Sequence, residues 1–176
     1  GYIKFDDSSV PASFDGNDDY SSGSILEHCV VEYGGAYAST PSYLSVIHGP
    51  SYINYCTVRH NQGSLAISGG GYPVRITNST ITQNSGGAIS GGRNATITGN
   101  TITYNSAAGA AIGIGGPAGS YTTISNNTIA HNSSSGIVAR AERGSAFTIT
   151  QNTITDNSGN GITIDSQSMN EDPDPT

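Results

Sequence analysis

Tryptophan is absent from this chain, methionine occurs once, and lysine plus arginine total 6 against 13 aspartates plus glutamates. Charged residues make up 11% of the 176, and the formal net charge is -7. So few cations exclude a phosphate-tracking surface, and nucleic acid with it, and they leave no basic groove for a polyanionic substrate. No apolar run is long enough to cross a bilayer as a helix, so membrane insertion is not expected. Leu, Glu, Lys and Ala are too thinly spread to suggest helices. What is present in quantity is glycine, at 24, and tyrosine, at 10 against 3 phenylalanines. That balance describes one small-residue, β-rich domain of an extracellular kind, expected to be secreted or at the cell surface.

One sentence of sequence recurs. Ile76-Thr77-Asn78-Ser79-Thr80-Ile81-Thr82-Gln83-Asn84 returns from Ile97 to Asn105, from Ile124 to Asn132 and from Ile149 to Asn157. More degraded copies start at Leu26 and Ile53, and successive copies lie 21 to 27 residues apart. Isoleucines five apart with Thr and Asn between them do not fit helical spacing. They suit short strands separated by a tight polar turn. Val74, Ala95, Thr122 and Phe147 extend the alternation backwards, and Ile89, Ile112, Ile137 and Ile162 supply a third apolar position after a Gly/Ser break. Each copy thus predicts three short strands and three bends, one rung of a three-sided coil that buries its apolar side by stacking on its neighbours. Length differences fall in glycine-rich bends such as Gly69-Gly70-Gly71.

Stacking the copies aligns identical residues. One column reads Cys29, Cys56, Ser79, Asn100, Asn127, Asn152, and a second reads Gly34, Asn61, Asn84, Asn105, Asn132, Asn157. Asparagine tolerates turn geometry, and its amide can bond the amide of the next coil, so both columns read as structural ladders rather than ligands.

These units resemble the right-handed parallel β-helix repeat superfamily, the pectate-lyase-like solenoids, over most of the chain from Ser24 to Asp165. The resemblance implies an all-β, right-handed parallel β-helix of about seven coils. The expected domain spans residues 1–166, with irregular first coils over 1–50 and regular ones over 51–166, followed by a polar tail or linker at 167–176. The opening strand around Ile3 and Phe5 lacks the amphipathic cap such helices carry. That reads as an excised or processed piece of a larger surface protein, with self-association through exposed end coils as the competing expectation. Because this superfamily holds lyases, hydrolases, epimerases, adhesins and inert scaffolds, the resemblance names a fold and not an activity.

Candidate sites follow from the polar residues of the early coils. Cys29 and Cys56 stack in one column about 4.8 Å apart, compatible with a disulfide and equally with two small apolar thiols, the latter preferred. Glu27 and Glu32 are the candidate acid and base of a sugar-cleaving site, with Arg59 or Arg75 to hold a substrate carboxylate. The plain alternative is a cross-rung ion pair between Glu32 and Arg59. Asp15, Asn17 and Asp19 place oxygens at alternate positions, a candidate Ca²⁺ turn to which Asp6 and Asp7 would add; otherwise no cofactor is expected. Tyr33, Tyr52, Tyr55 and His60, within a tyrosine-rich first third that includes Tyr37 and Tyr43, are candidates for stacking on a polysaccharide or cell-surface glycan. Outward Thr57, Thr80, Thr101, Thr128 and Thr153, with Thr82, Thr103 and Thr155, make ranks that resemble ice-binding β-helices. Asn78, Asn94, Asn126 and Asn132 head Asn-x-Ser/Thr triplets. The expected function is a structural, adhesive or glycan-binding module without catalysis. A polysaccharide lyase or glycoside hydrolase fragment is the alternative, and ice binding the minor one.

Overall fold

Three-residue Thr-Ile-Thr strands are too short to stand alone, and each is stabilised by a parallel partner one repeat away. The computed structural model describes residues 1–5, 8–35, 45–106 and 109–166, leaving Asp6, Asp7, Tyr37, Tyr43 and the expected tail at 167–176 outside. A short strand β1 (Ile3–Lys4) and an antiparallel hairpin, β2 (Ser13–Phe14) with β3 (Tyr20–Ser22), precede the coils. The first coil comprises β4 (Ile25–Glu27), β5 (Val30–Glu32) and β6 (Ser45–His48). The second comprises β7 (Tyr52–Asn54), β8 (Thr57–Arg59) and β9 (Leu65–Ser68), the third β10 (Arg75–Thr77), β11 (Thr80–Thr82) and β12 (Gly87–Gly91). Next come β13 (Thr96–Thr98), β14 (Thr101–Thr103) and β15 (Ala110–Gly115), then β16 (Tyr121–Ser125), β17 (Thr128–Ala130) and β18 (Ser135–Ala141). The sixth coil is β19 (Ala146–Thr150), β20 (Thr153–Thr155) and β21 (Ile162–Ser166).

Opening strands form one 6-stranded parallel sheet, middle strands a second, and closing strands a 7-stranded sheet that β1 extends beyond β6. The expected seven rungs thus resolve, among the described residues, into six complete coils and one additional strand. Register is kept throughout. Ile53, Ile76, Ile97 and Ile124 face one another across the first sheet, Val58, Ile81, Ile102 and Ile129 across the second, and Ile67, Ile89, Ile112 and Ile137 across the third. The largest fully buried side chains are all isoleucines. β-Branched residues suit this core because each stacks on an identical neighbour on a pleated surface.

The corners carry the rest of the order. The residue after each opening strand has positive φ (His28, Tyr55, Asn78, Gly99, Asn126, Gln151), as does the residue after each middle strand (Tyr33, His60, Gln83, Tyr104, His131, Asp156). Left-handed backbone costs a non-glycine residue about 1–2 kcal/mol, and the residue that follows offsets that cost. Asn105 Nδ2 donates to Ile81 O at 3.0 Å and to Asn132 Oδ1 at 3.0 Å, while Asn105 Oδ1 accepts from Asn84 Nδ2 at 2.9 Å and Asn84 N at 3.2 Å. The same pattern links Asn61 to Asn84 and Asn132 to Asn157, and in the other column Asn100 to Asn127 and Asn127 to Asn152. Ser79 and Cys56 extend that column: Ser79 N donates to Asn100 Oδ1, and Cys56 N to Ser79 Oγ. At the base of the second column Gly34 N donates to Asn61 Oδ1. Asn132 is buried in its ladder, so its Asn-x-Ser triplet is closed to a glycan, whereas Asn78, Asn94 and Asn126 are exposed.

Candidate functional site

The four residues weighed for catalysis do not converge on one point: Glu32 and Arg59 pair with each other, and Glu27 and Arg75 are held by other partners. Glu27 ends β4 on the first sheet, where its Oε1 accepts from Asn54 Nδ2 at 2.7 Å. Glu32 ends β5 on the second sheet, in register with Arg59, whose Nε donates to its Oε2 at 2.8 Å. An acid–base pair has to converge on one bond. Here the two carboxylates belong to different sheets, and each is held by a neighbour in the next coil. Arg59 and Arg75 are likewise on different sheets, so neither joins both glutamates.

Arg75 is held by a residue that sequence reasoning missed. The β2–β3 hairpin folds back over the outer side of the first sheet, and Asp18, at its tip, takes both terminal nitrogens of Arg75, with Nη1 donating to Oδ1 at 2.7 Å. The guanidinium lies 4.0 Å from the centroid of the Phe14 ring and 5.7 Å from that of Tyr52, and Arg75 Nε is buried without an acceptor. Tyr52 is therefore no open platform. It is 9% exposed, stacked on Tyr20 at 6.0 Å and met edge-on by Phe14 at 5.1 Å, because the hairpin covers an outward position.

Hydrogen bonding from Arg75 holds the Asp18 carboxyl below its ordinary value, and Asp18 raises Arg75. A carboxyl whose pKa is depressed on folding stabilises the docked hairpin above the unfolded value, and that contribution is lost as pH falls through the lowered one. Exposed pairs contribute only about 0–1 kcal/mol. Acidification is therefore expected to loosen the hairpin, changing the near-ultraviolet signal of Tyr20 and Tyr52 while the far-ultraviolet signal of the solenoid holds. Asp18→Asn should abolish that acid step.

In the candidate calcium turn, Asp15 Oδ1 accepts the Asn17 and Asp19 N–H groups at 2.9 and 3.0 Å. This is an Asx-type closure of the hairpin loop. Among the described residues no three His, Cys, Asp or Glu side chains gather at metal-binding distance. Both cysteines are free. Cys56 Sγ donates to Leu26 O at 3.2 Å and Asn54 O at 3.3 Å, as an asparagine amide does elsewhere in that column, and burial pushes its thiol pKa up. The threonine ranks are in register on the second sheet from Thr57 to Thr153, beside an outer row broken by the Arg59–Glu32 pair and Ala130.

The remaining aromatics organise along the corners. Tyr55 stacks on His28 at 5.2 Å, Tyr33 on His60 at 5.7 Å, and Tyr104 on His131 at 5.1 Å, with ring planes 2°, 16° and 12° apart. Each pair joins left-handed positions of successive coils. A shallow, open cleft of about 460 Å³ runs along the corner after the middle strands, lined by Tyr33, His60, Gln62, Gln83, Ser85, Tyr104 and Ser106, with the buried ladder residues Asn61 and Asn84 behind them. No carboxylate, lysine or arginine lines it. Gln83, Tyr104 and His131 escaped the sequence reading, although a signal exists: each occupies the variable place just before a ladder asparagine.

No curated protein and no solved structure matches the chain. A family model described as the right-handed beta helix region matches residues 46–172, which cover the regular coils from β6 to the end of β21. With parallel sheets on three sides and a match over well more than half its length, the chain belongs to the right-handed β-helix family.

Proposed function

We propose that this chain is a non-catalytic glycan-binding module of a secreted or cell-surface protein. The observation that carries this is the corner cleft, where exposed aromatic rings stand beside the exposed amides of Gln62 and Gln83 and the hydroxyls of Ser85 and Ser106. Apolar ring surface beside uncharged donors and acceptors is the chemistry a saccharide requires, since its C–H faces pack on rings while its hydroxyls hydrogen-bond sideways. Tyr33 and Tyr104 are 73% and 57% exposed, so their surfaces are available to a ligand. The placement of Glu27 and Glu32 on different sheets, each already engaged by a neighbouring side chain, favours binding over cleavage.

Affinity electrophoresis and calorimetry against a panel of neutral and acidic polysaccharides test it. At least one polysaccharide should be retained, and Tyr104→Ala should bind it about tenfold more weakly, the scale of one lost ring contact. Retention of none would end the proposal, and release of reducing ends from a retained polysaccharide would restore the enzymatic reading.

A further inference from the structure

The ring column at the cleft has a gap, and the gap has the dimensions of a ring. Along this corner the left-handed positions read Tyr33, His60, Gln83, Tyr104, His131, Asp156. Near-parallel rings with centroids 5.1–5.7 Å apart are too close to lie side by side in one plane, so each pair is stacked with a lateral offset. The members of each pair sit on successive coils, so each ring turns one face toward its partner in the next coil, and the offset leaves part of that face open. At Gln83 the column is interrupted, leaving His60 and Tyr104 two coil steps apart, about 10 Å at roughly 4.8 Å per step. A ring midway would lie about 5 Å from each, within the ~4.5–7 Å range of ring–ring contact.

We infer that this gap seats one uncharged pyranose, entering edge-first as the terminal or branch residue of a glycan and sandwiched between His60 and Tyr104. The inference rests on the glycan-binding reading and gives it a ligand class. An internal residue of a chain running along the axis is excluded by geometry, because its neighbours would have to pass through the two flanking rings. A terminal residue leaves its chain pointing to solvent. Ser85, Ser106 and Gln62 lie within the same cleft to meet the hydroxyls of the inserted ring, and the Gln83 amide is a flexible side chain on an exposed position that can swing aside or bond it. A carboxylated or sulfated sugar would find no cation among the lining residues and a protein of net charge -7.

The test is Gln83→Tyr, which fills the gap with a ring. Tyrosine already occupies left-handed corner positions at 33, 55 and 104, so the backbone accepts it. Wild type, Gln83→Tyr and Gln83→Ala are titrated with the retained polysaccharide and with methyl glycosides of its terminal sugar. Gln83→Tyr should weaken binding at least about tenfold with an unchanged or raised unfolding midpoint, and Gln83→Ala should stay within about threefold of wild type. The methyl glycoside should compete to completion. Undiminished binding by Gln83→Tyr, or failure of the methyl glycoside to compete, overturns the seat and leaves the glycan-binding reading standing. A wild type that retains no saccharide overturns both. Should Gln83→Tyr fold poorly, Gln83→His serves, as histidine holds the same position at 60 and 131.

Discussion

Asn105→Ala is expected to lower the stability of the solenoid by roughly 2–6 kcal/mol. The substitution removes the donor to Ile81 O and the acceptor for Asn84 N, both interior to the fold. Each buried group left without a partner costs about 1–3 kcal/mol. Asn132 Oδ1 would keep the Asn105 backbone N–H at 3.0 Å, and Asn84 Nδ2 would keep Val58 O at 3.0 Å, which bounds the loss from above. Because each coil touches only its neighbours, the damage should be local. Hydrogen exchange should quicken first at the amides of Asn84 and Asn105, and urea unfolding should report the total. Ser106→Ala, on the exposed next residue, is the control and should change stability by no more than about 0.5 kcal/mol. An Asn105→Ala protein as stable as that control would mean the ladder does not hold the corner.

Gly86→Ala is expected to be as damaging for an unrelated reason. A Cβ at Gly86 would sit 2.0 Å from Gly63 O and 2.4 Å from Ser64 C, and these are backbone atoms of the coil beneath. A side chain could turn away, but a backbone can yield only if the coils separate, breaking the Gly87 N to Ser64 O bond of 2.9 Å. Overpacking commonly costs about 1–3 kcal/mol where side chains can adjust, so a loss above about 3 kcal/mol is expected here. The comparison is Gly113→Ala in β15, where nothing lies within 4 Å of the added carbon. There the substitution should be neutral, or stabilising by about 0.4–1 kcal/mol through the unfolded chain. Thermal melts of the pair decide the matter, and equal midpoints would show that the coils are not in backbone contact at Gly86.

The contrast between what could and could not be read from the sequence follows from periodicity. Ile76 and Ile81 recur at the same spacing as Ile97 and Ile102, so strand position, inward face and stacking partner follow from one rule. Asn84 and Asn105 fall under the same rule. Nothing periodic connects Asp18 to Arg75. The hairpin lies outside the repeat, so its docking site on Tyr52 has no local signature, and strand alternation alone points Tyr52 outward. The cleft was half legible. Tyr33 and His60 stand out in the sequence singly, as polar rings of the early coils. Their relation to Gln83 and Tyr104 emerges only when the variable place before each ladder residue is read as a column, with ring faces set by coil stacking instead of by strand alternation.

That variable column separates folding from recognition. The ladder asparagine, one residue later, holds the turn, so the side chain before it is relieved of structural duty. Tyrosine, histidine, glutamine and aspartate occupy equivalent places without altering the coil. The edge of the solenoid therefore behaves as a writing surface ruled at fixed intervals. Substitutions there can be selected one line at a time, each changing what the edge recognises while the ruling stays in place. New specificities are open to such a scaffold without passing through unstable intermediates, and rings or charges grafted at Gln83, His131 and Asp156 should combine independently wherever they are not adjacent.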